Sequence, residues 1–265
     1  MCKNPLKPAP YKIISVRELT KDEWTFRIKV ETTPIFGQFY EVSLPGIGEM
    51  PISSSGIGDK WIEMTIRNVG KVSSEVHKLK PGSTIFLRGP YGNGFNADDF
   101  KDKHVVVAAG GCGVSPVRPL IEYFYNNPDD VAEVDLLFGF KEPGVVLFKE
   151  DIGRWKKKFN TIVTVDQACG AWEGNCVGLI TDYVKEIKMS EYQKMQIVIV
   201  GPPIMMKYTA EEFIKCGVPE EQIIVSMERR MSCGVGKCGH CKVDSCYVCL
   251  DGPVFYYSEA KKLID

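Results

Sequence analysis

The fold is decided by His104-Val-Val-Val-Ala-Ala-Gly-Gly-Cys-Gly-Val-Ser-Pro116. After His104 the five residues Val105 to Ala109 form an unbroken apolar run, the pattern of a strand covered on both faces in a parallel sheet. The run breaks into Gly110-Gly111-Cys112-Gly113, and 116–125 then read as a helix. Glycines at such a turn let the backbone approach a pyrophosphate, and the helix start supplies oriented N–H groups and partial positive charge. The dinucleotide fingerprint G-x-G-x-x-G is absent, and taken alone the turn reads equally well as a tight strand-to-helix connection.

The segments after it supply the context. Residues 134–140 and 161–165 read as buried strands around a basic helix at 149–158. A helix at 179–187, a strand at 196–200, a helix at 203–216 and a strand at 223–227 follow. Alternation of this length implies a parallel sheet with crossover helices, a nucleotide-binding architecture. Val200-Gly201-Pro202-Pro203 ends one of these strands. Ligands of such sheets bind beyond the carboxyl ends of the strands, so this loop and the Gly110 loop are expected to face one crevice.

Upstream the pattern differs. Residues 16–30, 39–44, 61–68 and 84–89 are β-rich and separated by Gly, Pro and Ser, which predicts an antiparallel barrel with a short helix at 76–79. Met50-Pro-Ile-Ser-Ser-Ser55 and Arg67-Asn-Val-Gly-Lys-Val-Ser73 read by themselves as polar loops. The second offers the Gly70 amide, the Lys71 charge and the Ser73 hydroxyl to an anion.

Downstream lies CGVGKCGHCKVDSCYVC, with Cys233, Cys238, Cys241 and Cys249 spaced C-x4-C-x2-C-x7-C. The first three have the plant-ferredoxin spacing of a 2Fe–2S cluster, and glycines fill the gaps where the loop must wrap closely around sulfur. Structural zinc prefers two separated C-x2–4-C pairs, a poorer match. Cys249 is the preferred fourth ligand because Asp251-Gly252-Pro253 turns the chain just after it; Cys246 is the alternative. Cys2, Cys112, Cys169, Cys176 and Cys216 are scattered and read as small apolar fillers. His77, His104 and His240 are too dispersed to form a metal set. The expected organisation is a barrel over 1–100, an α/β domain over 101–227 and a cluster module over 228–265.

Net charge of −1 argues against a nucleic-acid partner, and no apolar run reaches the roughly 18 residues of a membrane span. Ten cysteines behind an N-terminus without a hydrophobic stretch point to a reducing compartment, the cytoplasm. No Ser/His/Asp or paired-carboxylate constellation stands out, as expected of a protein whose chemistry is electron transfer.

PISSS and GKVS in the barrel, then AAGGCGVSP, LFGFKEP and VGPP, then CGVGKCGHC and CLDGPVF, occur in the order found in the ferredoxin–NADP reductase superfamily. The chain resembles its members with a C-terminal 2Fe–2S domain. Within these, NPLKPAPYKI at the start and GKCGHCK with YVCLDGPVF at the end are most similar to the B subunits of anaerobic sulfite reductases. Electron-transfer subunits of dihydroorotate dehydrogenase and gamma subunits of soluble hydrogenases share the plan.

The resemblance implies FAD in the barrel, a nicotinamide dinucleotide in the α/β domain, and iron–sulfur and siroheme-type subunits as partners. It places Pro51, Ile52, Ser53 and Ser54 at the flavin, with Ser53 approaching the reactive N5. Met50 stands where the family has a diphosphate-binding arginine, a role left to Arg67 or Lys71. Gly70, Lys71, Val72 and Ser73 match the second flavin segment, and residues 89–94 a closing loop beside the cofactors. Gly110, Gly111, Gly113, Ser115 and Pro116 match the dinucleotide loop, and Gly201, Pro202 and Pro203 its partner. Lys141 would attract the 2′-phosphate of NADPH, whereas Glu142 would repel it and suit the ribose of NADH; NADH is the expectation. A non-catalytic iron–sulfur scaffold or sensor and a zinc-stabilised flavin reductase are the rival classes.

Overall fold

The computed structural model of the chain describes residues 4–168, 172, 174, 176–189 and 194–263, so Cys2 and Cys169 lie outside the described residues. It divides into two compact units. One is Met1–Phe95 with Glu228–Val254; the other is Asn96–Met227 with Phe255–Asp265. Residues 228–254 fall in the first unit and 255–265 in the second.

In the first unit β1 (Ala9–Glu18), β2 (Glu23–Lys29), β3 (Phe39–Leu44), β4 (Gly48–Gly58), β5 (Trp61–Arg67) and β6 (Thr84–Tyr91) close into an antiparallel barrel of order β1-β2-β5-β4-β3-β6. Alternation sends Phe26, Ile28, Ile62, Met64 and Ile66 inward, each at most 1% exposed. The expected strand at 16–30 is two strands, because Thr20 Oγ1 accepts the N–H groups of Asp22 and Glu23 and turns the chain between β1 and β2.

The stretch read as a polar loop at Met50–Ser55 is part of β4. Pro51 is tolerated in it for a geometric reason. Residues 48–53 pair with β3 alone, and β5 pairs only from Ser54 onward, so no ladder bond needs the missing N–H. The short helix α1 (Lys71–Val76) starts earlier than 76–79, since Ser73 Oγ accepts from the backbone N–H of Val69 and Gly70 and closes the first turn.

The same unit holds the cysteine-rich segment: a hairpin of β13 (Lys242–Val243) and β14 (Cys246–Tyr247), then α5 (Val248–Asp251).

The second unit is a parallel sheet of β7 (His104–Gly110), β8 (Glu133–Phe140), β9 (Asn160–Val165), β10 (Cys176–Val177), β11 (Met195–Val200) and β12 (Ile223–Ser226). With the late strand β15 (Val254–Tyr256) its order is β10-β9-β8-β7-β11-β12-β15. The helices α2 (Val114–Asn126), α3 (Lys149–Trp155) and α4 (Pro203–Lys215) connect its strands, and α6 (Tyr257–Ala260) follows β15. The helix expected at 179–187 is a 3₁₀ helix, Ile180–Glu186. Residues Val105–Ala109 and Ile197–Ile199 are fully buried, as a doubly covered sheet requires. The strand order reverses between β7 and β11, which run side by side with Ala109 opposite Val200. Among the described residues no helix is long and apolar enough to cross a membrane.

Candidate cofactor and cluster sites

The reversal point brings the two glycine loops together. Gly113 approaches the end of β11 so closely that a Cβ there would lie 2.3 Å from the Val200 carbonyl oxygen; any side chain would force the loops apart. A Cβ at Gly201 would come within 3.3 Å of the Gly110 nitrogen. Met205, from the first turn of α4, lays its sulfur over both Gly110 and Gly201 and was not singled out by sequence. Among the described residues Ser115 Oγ is buried with no hydrogen-bond partner, an unmet polar group beside the loop. These features fit a bound dinucleotide: backbone packed for close approach at a topological switch point, and an unsatisfied hydroxyl beside it. Pro116 lies in the first turn of α2, and Pro202 and Pro203 open α4. Lys141 and Glu142 follow the carboxyl end of the adjacent strand β8, and both are exposed.

In the barrel, Pro51, Ile52, Ser53 and Ser54 lie along β4, and α1 packs at its start, where Val72 Cγ2 is 3.0 Å from the position of a Gly48 Cβ. Met50, Ile52 and Val72 pack on the apolar core. Ser54 Oγ is fully buried without a partner, which suits a ligand acceptor at this strand. Arg67 is held by Glu23 at 3.1 Å with its side chain 56% exposed, and Lys71 is exposed. The Ser73 hydroxyl turns inward, accepting from Val69 and Gly70 and donating to the Gly70 carbonyl, so the free hydroxyl expected for an anion is spent closing the loop.

The cysteine loop is wrapped around its sulfurs by backbone donors. Val235, Lys237 and Cys238 direct N–H groups at Cys233 Sγ over 3.3–3.5 Å, Gly236 N–H points at Cys249 Sγ at 3.2 Å, and Cys249 N–H at Cys241 Sγ at 3.5 Å. Gly234 and Gly236 adopt φ of +72° and +67°, and a Cβ on them would strike the Tyr91 ring and Leu250. Burial resists ionisation of Cys233, but the three N–H donors and the Cys238 side chain outweigh it and draw its thiol down to about 6. Burial and the neighbouring Cys241 instead push Cys249 up.

Among the described residues no three of these sulfurs lie within 4.8 Å of one another. Cys249 shares this cage through both its sulfur and its N–H; Cys246 sits on the hairpin strand β14.

Three residues lie behind the loop: Arg88 and Glu41, which the sequence did not single out, and Asn93 of the 89–94 stretch. Arg88 donates to the carbonyls of Ser232 and Cys233. Asn93 donates its side-chain amide to the carbonyls of Asp251 and Val254 and accepts the Val254 N–H, while its own N–H meets the Gly252 carbonyl. Glu41 lies beneath Arg88 with no exposure. The 89–94 loop expected beside the cofactors therefore clasps the cysteine segment. A charge in each of two otherwise apolar strand sequences, FYEVSL and TIFLRGPY, was the available signal.

His104, Glu133 and Asp135 place ligand atoms within 4.8 Å of one another, so His104 is less isolated than the sequence suggested. Asp135 Oδ2 meets His104 Nε2 at 2.5 Å and its Oδ1 accepts from Asn160 at 2.6 Å. Both oxygens are occupied in tying β7, β8 and β9 together near their starts.

Comparison with known proteins agrees with this geometry. The family profile of the oxidoreductase NAD-binding domain matches residues 107–211, and that of the iron–sulfur cluster binding domain of dihydroorotate dehydrogenase B matches 228–261. The sulfhydrogenase 2 gamma subunit of Pyrococcus furiosus is 35% identical over 97% of both chains. The probable dihydroorotate dehydrogenase B electron transfer subunit of the same organism is 34% identical over 94% of this chain and 89% of its own. This chain belongs to the family these subunits form. Its NAD-binding match spans both glycine loops and its iron–sulfur match spans all four cysteines.

The fold recurs in the structure of an NADH-dependent reduced ferredoxin-NADP oxidoreductase, with a TM-score of 0.77, 24% identity and coverage of 98% of this chain and 91% of that one. It also recurs in the ferredoxin reductase of carbazole 1,9a-dioxygenase, with a TM-score of 0.70, 24% identity and coverage of 84% and 70%. The expected affinity with sulfite reductase B subunits gives way here: the full-length relatives named above are hydrogenase and dihydroorotate dehydrogenase subunits. The sulfite expectation rested on short terminal motifs alone.

Proposed function

We propose that this chain is the NADH-oxidising electron-transfer subunit of a multi-subunit oxidoreductase, holding FAD in the barrel and a 2Fe–2S cluster on Cys233, Cys238, Cys241 and Cys249. When bound, FAD takes electrons in pairs from a nicotinamide and releases them singly to a one-electron cluster. The residues present supply binding and orientation. Gly110, Gly111, Gly113, Ser115 and Pro116 with Gly201, Pro202 and Pro203 accept the dinucleotide diphosphate against the start of α2, and Glu142 takes the ribose hydroxyls of NADH. Pro51 to Ser54 would line the flavin, with Ser53 hydrogen bonding at its reactive edge. Arg67, Lys71 and the first turn of α1 would provide positive charge and N–H groups where Met50 replaces the arginine. Cys238 is the exposed ligand and marks the side from which an acceptor is reached.

The observation that carries this reading is the cysteine loop itself: four thiols within one wrapped backbone whose N–H groups already point at sulfur, the arrangement that stabilises thiolates against iron. Full-length coverage favours a hydrogenase-type partner, with a dihydroorotate-oxidising partner as the second reading; reduced thiols suit a cytoplasmic assembly.

Protein purified without oxygen is expected to be brown, to carry iron and flavin, and to reduce a dye with NADH about tenfold better than with NADPH, a difference of roughly 1.4 kcal/mol. Material that holds neither iron nor flavin after reconstitution would overturn the reading, and NADPH preference would overturn the role of Glu142. Chains that co-purify identify the partner: a hydrogenase or dihydroorotate-oxidising subunit is expected, and a siroheme protein would reinstate sulfite.

A further inference from the structure

Arg88 is an unusual residue to bury in a barrel strand. Its side chain is 3% exposed, and it sits over Glu41, which has no exposure. Neither charge is needed to close the barrel, since apolar residues of similar volume at such positions are often as stable. Nor does Arg88 serve chiefly to satisfy Glu41: the two are 4.0 Å apart, and both Glu41 oxygens lack a hydrogen bond.

The five donors of the guanidinium are spent elsewhere. Nε and Nη2 grip Glu49, the latter at 2.6 Å. Nη2 also donates to the Ser232 carbonyl, and Nη1 to the Cys233 carbonyl at 2.6 Å and to the Tyr91 hydroxyl at 3.4 Å. Tyr91 in turn covers Gly234 and donates to the Pro5 carbonyl. A fixed, permanently charged fork anchored in the barrel thus holds the backbone on which the first cysteine of the cage is mounted.

We propose that Arg88, clamped by Glu49 over Glu41, is the positioning residue for the Cys233 end of the cluster loop and that its charge sets how readily the cluster accepts an electron. The proposal rests on the cluster reading above. Adding an electron to the cage adds negative charge, which a neighbouring guanidinium favours and a neighbouring carboxylate opposes.

Arg88→Gln and Glu49→Gln test it, with the cluster followed by electron paramagnetic resonance during an anaerobic redox titration. Arg88→Gln keeps donors for the carbonyls but loses the charge; at a fixed ambient potential its ratio of reduced to oxidised cluster is expected to fall about tenfold, a shift of about 59 mV for a one-electron couple. Glu49→Gln removes a negative charge and is expected to raise the ratio several-fold. Loosening of the structure would not move two variants in opposite directions. Iron-loaded variants whose ratios are unchanged, or move the same way, overturn the proposal; if Arg88→Gln does not fold, an unchanged ratio in Glu49→Gln does so alone. Wild-type protein that takes up no iron overturns the cluster reading instead.

Discussion

Glu41 shows what a single buried carboxyl does to the barrel. Burial raises its pKa from 4.5 to about 7, and Glu49 and Cys233 add to the rise, while Arg88 at 4.0 Å only partly opposes it. Arg88 responds in the other direction: burial acts against its charge, but hydrogen bonds and charges from Glu49, Tyr91 and Glu41 prevail, and it stays protonated. Because the folded-state pKa of Glu41 lies above the unfolded one, the native state holds a proton that the unfolded chain releases between pH 4.5 and about 7. Stability from this group is complete below that window and is lost as the pH rises through it. Glu41→Gln is therefore expected to flatten the pH dependence of chemical denaturation across the window and to be more stable than wild type at pH 8, by on the order of 2–3 kcal/mol. An unchanged slope would mean that Glu41 is ionised in the folded protein. In sequence this residue was one acid in an apolar strand, and nothing local revealed that Arg88, far along the chain, would lie over it. Ser73 is the converse case. Its match to a flavin segment was visible, but the inward turn of its hydroxyl depends on backbone geometry that composition does not encode.

At the level of elements, what could be read followed periodicity. The buried strands β7, β8, β9 and β11 announce themselves as continuous apolar runs, and the two glycine loops meet because strand order reverses between β7 and β11. β4 was hidden because Pro51 and three serines mask a strand whose first half pairs on one edge only. What the 89–94 loop would hold was hidden because its partner segment lies more than 150 residues away. Asn93 makes three side-chain hydrogen bonds to Asp251 and Val254, and its N–H meets the Gly252 carbonyl at 2.7 Å. Asn93→Ala removes the three and leaves the carbonyls of Asp251 and Val254 without that donor. The expected cost is about 1–3 kcal/mol, localised to α5 and the turn after it. Hydrogen exchange should accelerate in peptides spanning 247–254, and a chelator should strip iron several-fold faster, with exchange in β7 to β9 unchanged. Uniform acceleration over the whole barrel would mean that Asn93 braces the fold and not the clasp.

For the molecule as a whole, one chain carries parts suited to two kinds of electron traffic, and the numbers they imply can be counted. The sequence made both kinds visible, through cysteine spacing and through strand–glycine–helix turns, since each is a local pattern. The partner was not legible, because short terminal motifs say little about the surface to which a partner binds. Electron capacity is independent of partner. A flavin stores two electrons and a 2Fe–2S cluster one, so a fully loaded chain should take up about three reducing equivalents in an anaerobic titration. Because NADH delivers two at a time, a substoichiometric dose should distribute electrons between flavin and cluster, bleaching both the yellow and the broad red absorbance. Zinc on the four cysteines would hold the capacity at about two, with no bleaching toward the red and no paramagnetic signal. A chain without flavin would accept about one from a chemical reductant and none from NADH, as the scaffold reading requires. Each alternative to the electron-transfer assignment thus has its own integer, and an uptake of about two or one would end that assignment whichever subunits co-purify.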